Sequence, residues 1–174
     1  MATALEQFAR ECHDILRQDP GPAGRRKLCA HLEAALLNES FVNACLNDRT
    51  PERHVLYEDP ELGFCILAHA YHGAKDTPPH DHGPSWAIYG QAKGETEMTD
   101  YELIAPASRE KPGKARPVRT YQLTPGMAWL YNEGDLHSPR RRAPTQLIRI
   151  EGLNMDRIKR LRYETIVVDL QGQQ

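Results

Sequence analysis

A chain of 174 residues is long enough to bury roughly 70% of the surface its unfolded form exposes, so a single domain, 1–174, can fold without disulfides. Its 22 Lys+Arg against 24 Asp+Glu give a formal net charge of −2, which lacks the basic excess of a nucleic-acid or anionic-membrane binder. The expected partner is therefore a small molecule or a protein, with no nucleic acid and no membrane involved. Cys12, Cys29, Cys45 and Cys65 form no C-x-x-C pair and read as reduced thiols. The opening MATALEQFARECHD has no apolar signal region, and no run of 18 uncharged apolar residues occurs, so the expected location is cytoplasmic.

Residues 1–50 carry a helical pattern. Leu5, Phe8, Cys12, Ile15 and Leu16 recur at helix spacing until DPGPAG interrupts them. Leu28, Cys29, Leu32, Ala35 and Leu36 share one face of a second helix, and Phe41, Val42, Cys45 and Leu46 mark a short third segment ending before Thr50-Pro51. From 51 onward the chain becomes a series of short β-like runs: HVLYE, GFCILAHAY, SWAIYGQ, TEMTDYELI, VRTYQL, MAWLYN, TQLIRIEG and ETIVVDL. Strands at this spacing predict a sandwich or barrel over 51–174. The proline-rich, basic stretch 105–117 reads as a surface loop. Three short helices cannot bury their apolar faces alone, so they are expected to pack on one outer face of the barrel.

The chemistry-bearing residues lie in PPHDHGPSWAIYGQAKG. On a strand, His80 and His82 point to one side, and two imidazoles so placed can share a metal ion if a third ligand arrives from elsewhere. His137 is the candidate, with the Asn-Glu-Gly-Asp turn before it bringing the chain around. Tyr89 is expected to face the same interior as Ala87. Trp86, Trp129 and Tyr131 read as core. Arg149 and Glu151 share a strand face and, if buried, must pair or face the cavity. His69 is an alternative ligand beside the less favourable His72. The run Arg140-Arg141-Arg142 reads mainly as a solvated strand edge.

Two stretches resemble the cupin superfamily. Its first motif, G-x5-H-x-H-x(3–4)-E-x6-G, is matched by Gly73, His80, His82, Ala87 and Gly94, with one extra residue after Gly73 and Ala87 in place of glutamate. Its second, G-x5-P-x-G-x2-H-x3-N, is matched by Gly126, Asn132, Gly134, His137 and Arg141, with Asn132 for proline and Arg141 for asparagine. The resemblance implies a double-stranded β-helix, or jelly-roll barrel, holding one metal on His80, His82 and His137. Because these ligands are neutral, an anionic substrate that coordinates directly, such as a thiolate, is expected.

Within cupins, the order of parts is similar to the thiol dioxygenases, the cysteine dioxygenase group. That likeness implies one Fe(II) ion, with Zn, Ni or Mn as alternatives, and a small anionic thiol and O2 as partners. In that family an arginine well before the first histidine grips the substrate carboxylate; Arg53, 27 residues before His80, occupies the corresponding place. Tyr89 and Arg149 are further substrate-binding candidates. The chain departs from the family elsewhere: the position of the cross-linking cysteine is Ala87, and the Ser-His-Tyr relay would fall on Leu147, Arg149 and Glu151. The resemblance thus implies oxidation of a carboxylate-bearing thiol to its sulfinate. A cupin acting on an enol or dicarbonyl with another metal, and a metal- or ligand-binding cupin without turnover, are the competing expectations. Small barrels of this kind often pair, which leaves a homodimer open.

Overall fold

The computed structural model of the chain describes residues 2–166. Three helices come first: α1 (Ala4–Gln18), α2 (Pro22–Leu36) and α3 (Glu39–Cys45). Thr3 caps α1 through a reciprocal pair of bonds with Glu6, and the Asn38 side chain caps α3 by accepting from the backbone of Ser40 and Phe41. Pro22 starts α2, where its missing N–H costs nothing. Among the described residues no helix is long and apolar enough to cross a membrane.

Ten strands follow: β1 (His54–Glu58), β2 (Cys65–Tyr71), β3 (Lys75–Asp76), β4 (Ala87–Lys93), β5 (Thr96–Ala105), β6 (Gly113–Leu123), β7 (Ala128–Tyr131), β8 (Leu136–Arg141), β9 (Thr145–Glu151) and β10 (Tyr163–Thr165). They form two five-stranded sheets, ordered β1-β2-β9-β4-β7 and β10-β6-β5-β8-β3. Every pairing is antiparallel except β10 with β6. This is the mainly β, double-stranded β-helix architecture that the sequence predicts. Its inner face is seen in one buried cluster, where Met98 and Leu123 of the second sheet meet Ala87, Tyr89, Tyr131 and Leu147 of the first.

Strand alternation explains the helices. Ile66, Ala68, Ile88, Ile148 and Ile150 point away from the barrel interior and join Phe8, Cys12, Leu28, Leu32 and Leu36 in a larger core. The first sheet is therefore buried on both faces, which is why β2 and β9 are buried almost throughout. A Cβ at Gly90 would lie 2.7 Å from Leu32 Cδ2, so α2 sits against β4 at a distance only glycine permits. On α2 itself, Leu28, Leu32 and Leu36 are buried, whereas Cys29 and Ala35 are only half-buried. All four cysteines are unpaired.

Two expectations need correction, and a third reaches beyond the described residues. The stretch 105–117 is not one loop: β6 begins at Gly113, and residues 114–117 pair with β5 up to Tyr101↔Pro117, where a register shift accommodates the proline. Arg141 is not a solvated edge residue. It follows His137 and Pro139 at two-residue spacing on β8, so it points inward and is 1% exposed, while Arg140 and Arg142 face solvent. Residues 167–170 of the expected strand ETIVVDL lie outside the described residues, and its first part is β10.

Candidate metal centre

His80 and His82 precede β4 rather than lying on it. His80 forms a single bridge with His137, each backbone N–H donating to the other's carbonyl at 3.0 Å. That reciprocal pair sets the two imidazoles side by side, with ring centroids 4.6 Å apart. Beyond it the chain turns: Asp81 Oδ1 accepts from Gly83 N, Ser85 N donates to the His82 carbonyl, and Tyr163 O–H donates to Asp81 Oδ2 at 2.9 Å. The turn aims His82 inward, where it is fully buried, 5.2 Å from His137 and 5.7 Å from His80 by ring centroid. His137 is brought in by the expected turn at 132–135, closed by Asn132 N donating to Asp135 Oδ2 at 2.8 Å. Helix α2 holds that turn, since Arg25 donates to both Asn132 and Glu133.

The three histidines offer nitrogens that all lie within 4.8 Å of one another. In His80 and His137, Nδ1 donates to a backbone carbonyl, that of Pro78 at 2.9 Å and of Asp135 at 3.0 Å, which leaves Nε2 as the lone-pair atom. Burial pushes His80 down to about 4 and His82 and His137 well below the ordinary imidazole value, so all three are neutral near pH 7. His82 Nδ1 is buried with no partner. Three neutral, buried imidazoles, two of them with the tautomer fixed by a carbonyl, are a donor set that fits a divalent transition metal.

Ala87, at the position of the missing glutamate, faces Glu151 directly across the β4–β9 ladder. A carboxylate is thus nearby, but it does not join the histidines. Arg53 grips both of its oxygens, at 3.2 and 3.1 Å, and Arg149 Nη1 donates to Oε1 at 3.1 Å. Arg53 also donates to Asp156 at 2.8 Å and Asn154 at 3.3 Å.

Tyr89 is fully buried, and its hydroxyl lies 3.2 Å from Nε2 of both His82 and His137. Burial raises it above the usual phenol value, so it keeps its proton. Arg149 lies over the Tyr89 ring at 4.1 Å, and Arg141 over Tyr71 at 4.0 Å. Neither guanidinium is fully used: Arg149 Nε and Arg141 Nε and Nη2 are buried without partners.

His80, Tyr89, Tyr71, Arg149 and Arg53 border a cavity of about 200 Å³, and Arg141 lies against Tyr71 outside its lining. Four cations line it, Arg53, Lys75, Arg149 and Arg160, against Glu52 and Asp156; Lys75 pairs with Glu52, Arg53 with Asp156 and Glu151, and Arg149 with Glu151, which leaves an excess of one positive charge. The excess favours an anionic ligand. Trp86 packs in the helix-facing core and Tyr131 stacks on His137 at 3.6 Å from behind, so neither fills the cavity.

Of the residues singled out from the sequence, His80, His82, His137 and Tyr89 converge, Arg53 and Arg149 line the cavity beside them, His72 is exposed, and His69 lies in the cavity wall outside the histidine cluster. Tyr71 and Arg160 in the cavity wall, and the burial of Arg141 against Tyr71, are not expected from the sequence reading. Inward alternation from His137 through Pro139 would have found Arg141.

No protein-family model and no curated protein sequence matches the chain. Among solved structures it is similar to KdgF from Halomonas sp. (17% identity, TM-score 0.46, covering 64% of this chain and 91% of that one). It is also similar to a Klebsiella pneumoniae protein with a double-stranded β-helix domain (14% identity, TM-score 0.44, 63% and 80%). A third is the cupin domain of Schizosaccharomyces pombe Cnp3 (10% identity, TM-score 0.44, 59% and 64%). The strand order and register of the chain itself establish its architecture: a double-stranded β-helix with a three-histidine cluster inside the barrel.

Proposed function

We propose that the protein is an Fe(II)-dependent dioxygenase that oxidises a small, carboxylate-bearing thiol to its sulfinate, RSH + O2 → RSO2H. One observation carries this reading. The cluster that would hold the metal is purely imidazole, because the nearby carboxylate of Glu151 is bound by Arg53 and Arg149, and the cavity beside it is lined by an excess of cations. Such a site binds anions at both ends, which suits a molecule carrying a thiolate and a carboxylate.

His80, His82 and His137 would hold iron. When bound, iron supplies a common site where thiolate and dioxygen meet, which makes their reaction intramolecular. The chain's own residues do the rest. Arg149, whose Nε has no partner, would bind the substrate carboxylate, and Arg53 completes the cationic wall while Glu151 fixes both guanidiniums in place. Arg141 adds a buried positive charge against Tyr71. Tyr89, a neutral phenol held at the histidine nitrogens, would be a proton donor beside the metal-binding cluster.

The test is oxygen uptake by the Fe(II)-loaded protein with 3-mercaptopropionate, mercaptosuccinate and cysteine, with mass detection of the sulfinate. Thiol-dependent uptake with at least one of them is expected. Absence of uptake with all three overturns the proposal.

A further inference from the structure

His69 is a polar group in the cavity wall that the reaction above leaves unused. It lies on β2, faces the interior with Leu67 and Tyr71, and is 3% exposed. Its Nδ1 lies 2.7 Å from the backbone carbonyl of Glu52, an atom that can only accept, so Nδ1 carries the hydrogen. The Tyr71 hydroxyl, 3.4 Å away, approaches the same nitrogen. Nε2 is consequently a lone-pair acceptor, and it is buried with no partner. The backbone register puts His69 opposite Leu147, so Arg149, two positions along β9, lies diagonally across on the same inner face. Both residues line the cavity, and Arg149 Nε and His69 Nε2, on adjacent strands, are a buried donor and a buried acceptor without partners.

We infer that His69 is a specificity-determining residue that accepts a hydrogen bond from an uncharged hydroxyl beside the substrate carboxylate, so that the site selects 2-hydroxy carboxylates. This rests on the carboxylate-binding role of Arg149 proposed above. An acceptor alone would serve a hydroxyl or an ammonium equally, and the surrounding charge decides between them. Burial first, then the positive charges of Arg149, Arg53 and Arg141, drive His69 far below the ordinary imidazole value, which marks a place hostile to a further cation. An α-ammonium would meet the same repulsion. A hydroxyl satisfies Nε2 without adding charge, whereas an unsubstituted acid leaves it unpaired.

The experiment uses the full chain loaded with Zn(II), which does not react with oxygen, and isothermal titration calorimetry with three non-thiol probes. Lactate is expected to bind about tenfold more tightly than propionate, and alanine more weakly than propionate. His69→Leu should bring lactate down to the propionate value with propionate unchanged. His69→Gln, whose amide oxygen can accept, should retain part of the preference even where the leucine variant fails to hold zinc. Equal affinity for lactate and propionate, a preference for alanine, a lactate preference that survives His69→Leu, or no binding of any probe overturns the inference. A separate titration with 3-mercaptopropionate tests the thiol reading. If it binds no more tightly than propionate, the thiol role fails while the hydroxyl preference stands or falls on its own arm.

Discussion

Arg149 donates to Glu151 across 3.1 Å, from two positions earlier on the same strand, with both side chains buried. Glu151 is the counter-charge for Arg149 and Arg53 together. Removing it leaves a buried guanidinium uncompensated, so Glu151→Gln should destabilise the protein by about 3–5 kcal/mol. Arg149→Met leaves Glu151 still paired with Arg53 and should cost clearly less. Urea unfolding of the two variants checks the order.

Arg141 presents the opposite situation. It is buried, its Nε and Nη2 have no partner, and desolvation pulls it below the usual guanidinium value. Arg141→Met should leave stability unchanged to within about 1 kcal/mol, because the loss of desolvation cost offsets the lost contact with Tyr71. The same variant should bind carboxylates more weakly. Paired measurements of unfolding free energy and anion affinity test this; a large destabilisation would show that the charge supports the fold.

The fold and the histidines were legible in the sequence for physical reasons. The glycine-punctuated runs alternate with the strand period. Gly94 is held at φ +68° with no room for a Cβ beside the Pro144 carbonyl, so it marks the end of β4. The turn at 132–135 likewise announced the return of His137. The second wall was harder to read. Arg53 and Glu151 are 98 residues apart, and nothing local in either segment shows that they pair. The triple arginine 140–142 looks uniformly polar, and only the inward alternation set by His137 separates buried Arg141 from its exposed neighbours. His69 drew attention as a possible ligand, but its acceptor role depends on the Glu52 carbonyl, a tertiary contact.

The buried histidines also fix a pH dependence for the metal-free protein. His69, His80, His82 and His137 all have folded values below the unfolded imidazole, so between the two the unfolded chain binds more protons. Their contribution is therefore complete above about pH 6.5 and is lost as the pH falls toward about 4, where His80 titrates in the folded state. His80 alone accounts for a loss on the order of 3 kcal/mol across that window. Melting temperature in chelator should fall steadily from pH 7 to pH 4. A flat profile would mean that the histidines are not buried in the neutral form.

Tyr89→Phe separates metal binding from chemistry. The hydroxyl at 3.2 Å from two histidine nitrogens holds a proton and contributes about 1 kcal/mol to stability. The variant should retain its metal, fold normally and lose at least tenfold in thiol-dependent oxygen uptake. Unchanged turnover would remove Tyr89 from the reaction.

The most direct test of the three-histidine centre is elemental analysis of the untagged protein purified without added metal, alongside His80→Ala and His137→Ala. We expect close to one equivalent of a divalent transition metal per chain, which the proposed function takes to be iron, and near-complete loss in both variants, with a melting temperature that rises when metal is restored to the native chain. Sub-stoichiometric metal that the alanine variants bind equally well would contradict it.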